Sequence, residues 1–393
     1  MSIIKSTRIE SIDILRGLVM VLMALDHTRD YFHYGSFLTD PTDLETTTPI
    51  LFFTRFITHY CAPIFIFLAG TSAYLYGSKK TKTQLFKFLI TRGFWLVFLA
   101  IVVNNFVWKF DITYSLIVLQ VIWAIGLCMI LLAFAIYMPI KGILALGIIL
   151  VAGHNLLDSI VLQGSSFKSI IWYILHQRER ISFGAQTIVF AYPIIPWFGL
   201  IALGYCFGTL YKKDFNAERR KKYLIWLGAS CIVLFFIIRG INSYGDLVPW
   251  SAQDTVTKTV LSFFKVTKYP PSLAYLLITL GPALLFLYAI EGIKNRITDF
   301  LLVFGRVPLF YYFLHIIIIH ILAIIGILIF GGDWTNMILT RDVFRNAKLL
   351  NYGYSLFIVY LVWILVITLL YFPSKSYMTY KAKNKDKWWL SYL

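Results

Sequence analysis

About ten stretches of this chain are close to 20 residues long and almost wholly apolar, and nothing else in it constrains the fold as strongly. A helix of about 20 residues crosses the hydrocarbon core of a bilayer, and a water-soluble domain has few places for so many such runs. The stretches run roughly over residues 11–32, 52–76, 85–106, 113–136, 139–157, 187–211, 223–240, 272–291, 302–330 and 351–372. The composition agrees: of 393 residues, 59% are hydrophobic and only 14% charged, more apolar surface than a soluble fold of this length buries. The expected class is an all-α polytopic integral membrane protein with about ten transmembrane helices, and no internal repeat stands out.

Lys and Arg exceed Asp and Glu by 36 to 19, a formal charge of +17. Many of the cations fall in short segments between apolar runs, so membrane lipids are the expected partner of this charge and nucleic acid is not. Lys5 and Arg8, then Lys79, Lys80, Lys82 and Lys87, then Lys212, Lys213 and Arg219 to Lys222, then Lys294 and Arg296, and finally Lys375 to Lys387 alternate onto one side of a ten-span chain. The positive-inside rule makes that side, with both termini, cytoplasmic. Segments 158–186, 241–271 and 331–350 fall on the other side yet are mildly basic, an exception to the pattern. No cleavable signal peptide is apparent. Cys61, Cys128, Cys206 and Cys231 lie in or beside apolar runs without CxxC spacing and are read as packing residues.

The first apolar stretch is the unusual one. Its uninterrupted run, Gly17 to Leu25, is too short to span, and around it stand Asp13, Arg16, Asp26, His27, Arg29 and Asp30. A charge in the bilayer costs at least ~2.5–3.5 kcal/mol unless it is paired or wetted. On a helix, Asp13, Arg16, Met20, Met23, His27 and Asp30 share one stripe, with Asp26 flanking it and Arg29 pointing away. Such a stripe faces a protein interior or a watery cavity. His27 lies about 16 Å beyond Arg16 on nearly the same face, at 1.5 Å per residue. An imidazole is well suited to take a proton near neutral pH, and Asp30, one turn on, or Asp26 could orient it. The alternative is a structural ion pair or a proton relay.

His59, near the start of the second span, is expected at about the depth of His27, and the two could share a site. No third ligand with metal spacing stands out beside them, so no metal is expected. Arg306 opens the ninth span and His315 follows within it; the arginine could hold a phosphate or set topology, and the histidine could bond between helices. Segments 33–50 (Tyr34, Asp40, Asp43, Glu45) and 241–271 (Asn242, Tyr244, Asp246, Trp250, Gln253, Asp254) mix aromatics with carboxylates and amides. That mixture suits either a sugar acceptor or an interfacial aromatic belt. There is no glycine-rich phosphate loop and no HExxH.

The segment Ile9-Glu-Ser-Ile-Asp-Ile-Leu-Arg-Gly-Leu18, continuing to Asp26-His27, resembles the first helix of the transmembrane acyltransferase superfamily. More closely, it resembles bacterial relatives of heparan-α-glucosaminide N-acetyltransferase. Ala62-Pro63 through Ala69-Gly70, Trp197-Phe198-Gly199 through Gly204, Gly305-Arg306 through His315, and the ending Trp388 to Leu393 carry the same resemblance along the chain. It implies that residues 1–393 form one acyltransferase domain in the bacterial cytoplasmic membrane. Such a domain moves an acyl group, usually acetyl, from cytoplasmic acetyl-CoA to a sugar or amino sugar on the far side. Arg16 and His27 match an Arg-x10-His pattern shared with membrane O-acyltransferases. By that resemblance His27 is catalytic, as base or acyl carrier, and Arg16 belongs to the acyl-CoA path. The catalytic group expected is therefore His27 with Asp30, Asp26 and His59, and the donor-binding group Arg16, Arg306 and His315. The oligomeric state stays open, a homodimer among the options. A proton-coupled transporter using His27, Asp26 and Asp30 as a relay is the competing reading.

Overall fold

The computed structural model describes residues 9–343, 346, 349 and 352–391. Lys5, Arg8, Tyr392 and Leu393, used above for topology and resemblance, lie outside the described residues. In chain order the helices are α1 (Glu10–Phe32), α2 (Pro49–Thr58), α3 (Cys61–Gly77), α4 (Lys82–Phe98), α5 (Asn105–Lys109), α6 (Val121–Ala135), α7 (Ile140–Gly153) and α8 (Phe167–Leu175). They continue with α9 (Ile194–Phe207), α10 (Ala217–Ile241), α11 (Val256–Phe264), α12 (Leu273–Ile290), α13 (Arg296–Gly305), α14 (Pro308–Ile329) and α15 (Leu356–Lys383).

Among the described residues, eight helical segments are long and apolar enough to cross a membrane, rather than the ten expected. These are Pro49–Gly77, Lys82–Lys109, Ile140–Leu157, Ile194–Tyr211, Ala217–Ile241, Leu273–Ile290, Pro308–Ile329 and Leu356–Lys383. The other two expected spans fail for different reasons. Helix α1 carries too many charges, and α6, at 15 residues, is short because its expected first turns form a strand.

That strand corrects the all-helical expectation. β1 (Leu116–Leu119) pairs in parallel with β3 (Gln186–Phe190), which pairs antiparallel with β2 (Glu179–Phe183). β2 and β3 form a hairpin whose turn opens on Gly184 at φ +56°, a left-handed conformation that favours glycine. Pro193 and Pro196 then restrict the chain to a helix that begins only at Ile194, so the expected span 187–211 starts as strand and is helical only from Ile194 on.

Two more expected spans are broken where the backbone demands it. Helix α13 ends at Gly305, and α14 starts afresh with Pro308 in its first turn, where the missing N–H leaves no intrahelical bond unmade. Between α2 and α3 the axis is interrupted at His59–Tyr60. Pro63 has no N–H to donate to the carbonyl four residues back, so the His59 carbonyl is freed; it accepts a 2.7 Å hydrogen bond from the Tyr275 hydroxyl instead.

Helix α1 packs against α2, α3, α12, α13, α14 and α15. Protein therefore surrounds it on nearly every side, and Asp13, Asp26 and even Arg29 are buried. Its closest neighbour is α13. A Cβ on Gly17 would lie 1.9 Å from the Leu301 carbonyl oxygen, and one on Gly305 would lie 1.8 Å from the Asp13 carbonyl oxygen. Only glycine at both positions lets the two backbones touch. Gly70 and Gly204 do the same for α3 and α9, each with a backbone oxygen 2.0 Å from the would-be Cβ.

Candidate active site

Near the C-terminal end of α1 a cavity of about 610 Å³ opens, with His27, Asp26, Asp30 and Met23 in its wall. Arg55 and Cys61 reach it from α2 and α3, Trp108 from α5, and Tyr312 from α14. The sheet closes one side through Val118 and Val189, and Arg178 to Arg180 approach along β2. Tyr192, Lys268 and Tyr269 complete the wall from the segments before α9 and α12.

His27 is held by a chain of hydrogen bonds. Its Nδ1 lies 2.7 Å from Nε2 of His315, and Nδ1 of His315 lies 3.0 Å from the Tyr311 carbonyl oxygen. A carbonyl only accepts, so a neutral His315 keeps its proton on Nδ1 and offers the Nε2 lone pair. His27 must then donate from Nδ1, which leaves the lone pair of its own Nε2 unprotonated. The edge of Trp108 packs on the His27 ring at 4.6 Å between centroids. Its indole N–H donates to the Tyr312 hydroxyl at 3.2 Å, and Tyr312 donates to Asn104 Oδ1 at 2.8 Å.

Asn104 ends a π-helical turn, Leu99–Asn104, that joins α4 to α5. The extra residue in that turn swings Asn104 and Asn105 inward, a common device at functional sites. Asn105 ties the turn to the sheet, accepting from Lys109 Nζ at 2.7 Å and from the Val118 N–H at 2.8 Å. The segment 99–109 thus sets Trp108 against His27 while its own buried amides stay bonded.

The carboxylates do different work from that expected of them. Both Asp26 oxygens accept from Arg55 Nη1 at 2.6 Å, and Oδ1 also accepts from Arg29 at 2.9 Å and from Thr58 at 2.7 Å. Asp30 accepts from Arg29 at 2.5 Å. Neither is bonded to the His27 ring; the group that orients it is His315, assigned above to donor binding. Arg29, expected to point away, is the cation that joins the two aspartates. His59 does not line the cavity: it is buried against Tyr275, with ring centroids 5.5 Å apart and its Nδ1 without a hydrogen-bond partner. The histidine that meets His27 comes from α14 rather than α3.

Arg16 and Arg306 sit together at the other end of α1. Arg16 donates to Asp13 at 2.7 Å, to Ser72 at 3.1 Å and to the Gly305 carbonyl at 3.2 Å. Arg306 lies 3.5 Å from Glu10 and 3.9 Å from Asp13, and Lys294 lies 3.3 Å from Glu10. The cavity wall includes neither arginine.

A family model described as heparan-alpha-glucosaminide N-acetyltransferase, catalytic, matches residues 8–239, more than half of the chain. The chain belongs to this family. No curated protein matches it. With eight apolar helices it is a membrane protein of an acetyltransferase family. The segment matched to the heparan-alpha-glucosaminide N-acetyltransferase catalytic family contributes His27, Arg55, Trp108, Arg178 and Tyr192 to the cavity. The remainder of the chain adds Lys268, Tyr269 and Tyr312, with His315 behind His27.

The cavity residues not singled out from sequence include Arg55, Trp108, Arg178 to Arg180, Tyr192, Lys268, Tyr269 and Tyr312. A signal did exist for several: segments 158–186 and 241–271 broke the charge pattern, and their cations Arg178, Arg180 and Lys268 are in the cavity wall. Of the polar residues named in segment 241–271, Asp246 instead ties the loop together. It accepts from Thr267 N–H, Thr267 Oγ1 and Ser272 Oγ at 2.7–3.0 Å, which sets the base of the Lys268–Tyr269 tip.

Proposed function

We propose that residues 1–393 act as one membrane acetyltransferase domain, moving an acetyl group from acetyl-CoA to a sugar or amino sugar held in the cavity beside His27. The observation that carries this reading is the chain from His27 through His315 to the Tyr311 carbonyl, which leaves the Nε2 lone pair of His27 free to accept a proton. An acceptor amine or hydroxyl attacks the thioester carbonyl, its proton passes to His27 Nε2, and the C–S bond breaks to release coenzyme A as thiolate. His27 then returns the proton to the thiolate. The positive charge on His27 in between is shared with His315 through the 2.7 Å contact. An acetyl-histidine on Nε2 is the covalent variant of the same step.

Aromatic Tyr192, Tyr269 and Trp108 suit stacking on a sugar ring, and Arg178, Arg180 and Glu179 suit its hydroxyls or charged substituents. Arg16, about 16 Å along α1 from His27, and Arg306, which shares Asp13 with it, are assigned to the donor phosphates. In that assignment their side of the protein is cytoplasmic, the cavity faces outward, and the flexible arm of coenzyme A bridges the two. The membrane is read as the bacterial cytoplasmic membrane.

The test uses the full chain in detergent with labelled acetyl-CoA and a panel of sugars and amino sugars. Transfer of label with stoichiometric release of free coenzyme A is expected, together with its loss in His27→Ala. Full transfer by that variant would remove His27 from the mechanism. Substrate flux across vesicles without acetyl-CoA would favour the proton-coupled transporter. Arg16→Ala should raise the apparent KM for acetyl-CoA, and an unchanged KM would take Arg16 out of the donor site.

A further inference from the structure

Away from the cavity wall, His154, Asp158 and His176 bring one donor atom each to within 4.8 Å of one another. His154 and Asp158 sit on consecutive turns where α7 runs out, and His176 caps the C-terminus of α8. Both histidines are 2% exposed. His176 Nε2 is 3.0 Å from Asp158 Oδ1, while the other Asp158 oxygen accepts from Asn155 at 2.8 Å.

What this arrangement leaves over is informative. Neither ring nitrogen of His154 is bonded to a side chain, and Nδ1 of His176 has no hydrogen-bond partner. The Pro271 carbonyl is the backbone group that acts on the His154 ring. With one nitrogen of the His154 ring facing that carbonyl, the other is idle, and an idle nitrogen on a buried imidazole beside a carboxylate and a second imidazole is costly as a purely structural feature. We infer that His154, Asp158 and His176 bind one zinc ion, which pins the segment leading into β2 against the end of α7.

The donor chemistry fits that ion. Two imidazoles and one carboxylate form a three-ligand set that zinc accepts, with a fourth position left for water. Zinc bonds of about 2.0–2.2 Å place tetrahedral ligands roughly 3.3 Å apart. His176 Nε2 and Asp158 Oδ1, 3.0 Å apart, already stand near that separation, and a donor atom of His154 lies within 4.8 Å of donor atoms of both residues. Asn155 holds the carboxylate from behind and accepts the Leu273 N–H through its own oxygen at 3.0 Å, which ties the site to the start of α12.

The consequence for the cavity follows from chain position. His176 stands two residues before Arg178, which with Arg180 lines the cavity, and Asn155 braces the segment after Lys268 and Tyr269. One ion would fix two walls at once.

The test is metal binding by the intact protein, independent of catalysis. The full chain in detergent is stripped with chelator and dialysed against buffered zinc, and zinc per chain is measured by mass spectrometry. About one zinc per chain is expected, as for a preformed site with deprotonated ligands. A His154→Gln/His176→Gln double variant should lose it, Asp158→Asn should weaken it, and His27→Gln should keep it. Cobalt in place of zinc should give the visible absorption of a low-coordinate nitrogen and oxygen site. Wild-type protein holding no zinc overturns the inference whether or not the variants fold. So does zinc that survives the double variant or disappears in His27→Gln. Bound zinc should also slow tryptic cleavage after the exposed Arg178 and Arg180 several-fold; unchanged cleavage would overturn the pinning role.

Discussion

His27 and His315, 288 residues apart in sequence, face each other with Nδ1 and Nε2 2.7 Å apart. Their rings are nearly parallel, at 13°. In the proposed mechanism His315 does for His27 what a carboxylate does in many catalytic pairs: it selects the tautomer. It differs in one respect, since a neutral partner adds no charge of its own.

His315→Asn should therefore lower kcat by roughly 100-fold or more and leave KM for both substrates close to wild type. His315 touches no cavity space, so its effect should pass through the His27 tautomer and appear as a displaced pH–rate profile. A loss confined to KM would place His315 in substrate binding, as first expected from sequence.

Asp26 and Arg55 are a buried pair with two 2.6 Å contacts. Removing Arg55 leaves Asp26 with Arg29 and Thr58 alone, so the loss falls below the about 3–5 kcal/mol of a buried charge stripped of its sole partner. Arg55→Met should lower the melting temperature sharply, and Asp26→Asn/Arg55→Met should recover part of the loss. A double variant whose loss equals the sum of the two single losses would mean the pair is uncoupled.

Gly17 and Gly305 let α1 and α13 meet at backbone distance. Gly17→Ala places a methyl carbon 1.9 Å from a backbone oxygen, and the helices must separate to admit it. The expected cost is about 3 kcal/mol or more, visible as reduced folded yield and an earlier melt. Gly153, around which nothing lies within 4 Å of a Cβ, serves as the control: Gly153→Ala should leave both unchanged.

Asp111, in the segment between α5 and β1, accepts from Thr113 N–H and Oγ1 at 2.9 and 2.6 Å and from Ser115 N–H and Oγ at 2.8 and 2.6 Å. Burial pushes its carboxyl up, but the hydrogen bonds from Ser115 and Thr113 outweigh that and leave it below its ordinary value of 3.8. A carboxyl lowered on folding stabilises above its unfolded pKa, and that contribution is lost as pH falls through the folded value. Asp111→Asn should thus melt earlier than wild type at neutral pH, with the gap closing on the acid side of 3.8. A gap of constant size across that range would show that the ionised form is not what matters.

Much of this architecture is legible in the sequence because hydropathy is a local signal. Nearly every expected span overlaps a helix, and the charge on α1 announced a polar site before any contact was known. The failures occur where local chemistry is ambiguous. Residues 116–119 and 186–190 are short apolar runs next to longer ones, and a strand of four or five residues cannot be told from a helix start by periodicity alone. The interruption at His59–Tyr60 could be read from Pro63, and that at Arg306–Val307 from Pro308. The partner of His27 was illegible because depth along a helix does not say which helices are neighbours: His59 shares a plausible depth, but α14 brings His315. Arg29 departs from the stripe because a stripe describes a helix with one buried face, and α1 is enclosed on nearly all of them.

The contact between Gly17 and Gly305 also bears on movement. Interlocked backbones resist sliding and rolling, so α1 behaves as a strut rather than a lever. The span between Arg16 and His27 is then a fixed length, and the acyl transfer proposed along it has to draw its motion from the reactants. A donor with a long, supple tether suits a rigid frame of this kind, because the tether can vary its reach where the strut cannot.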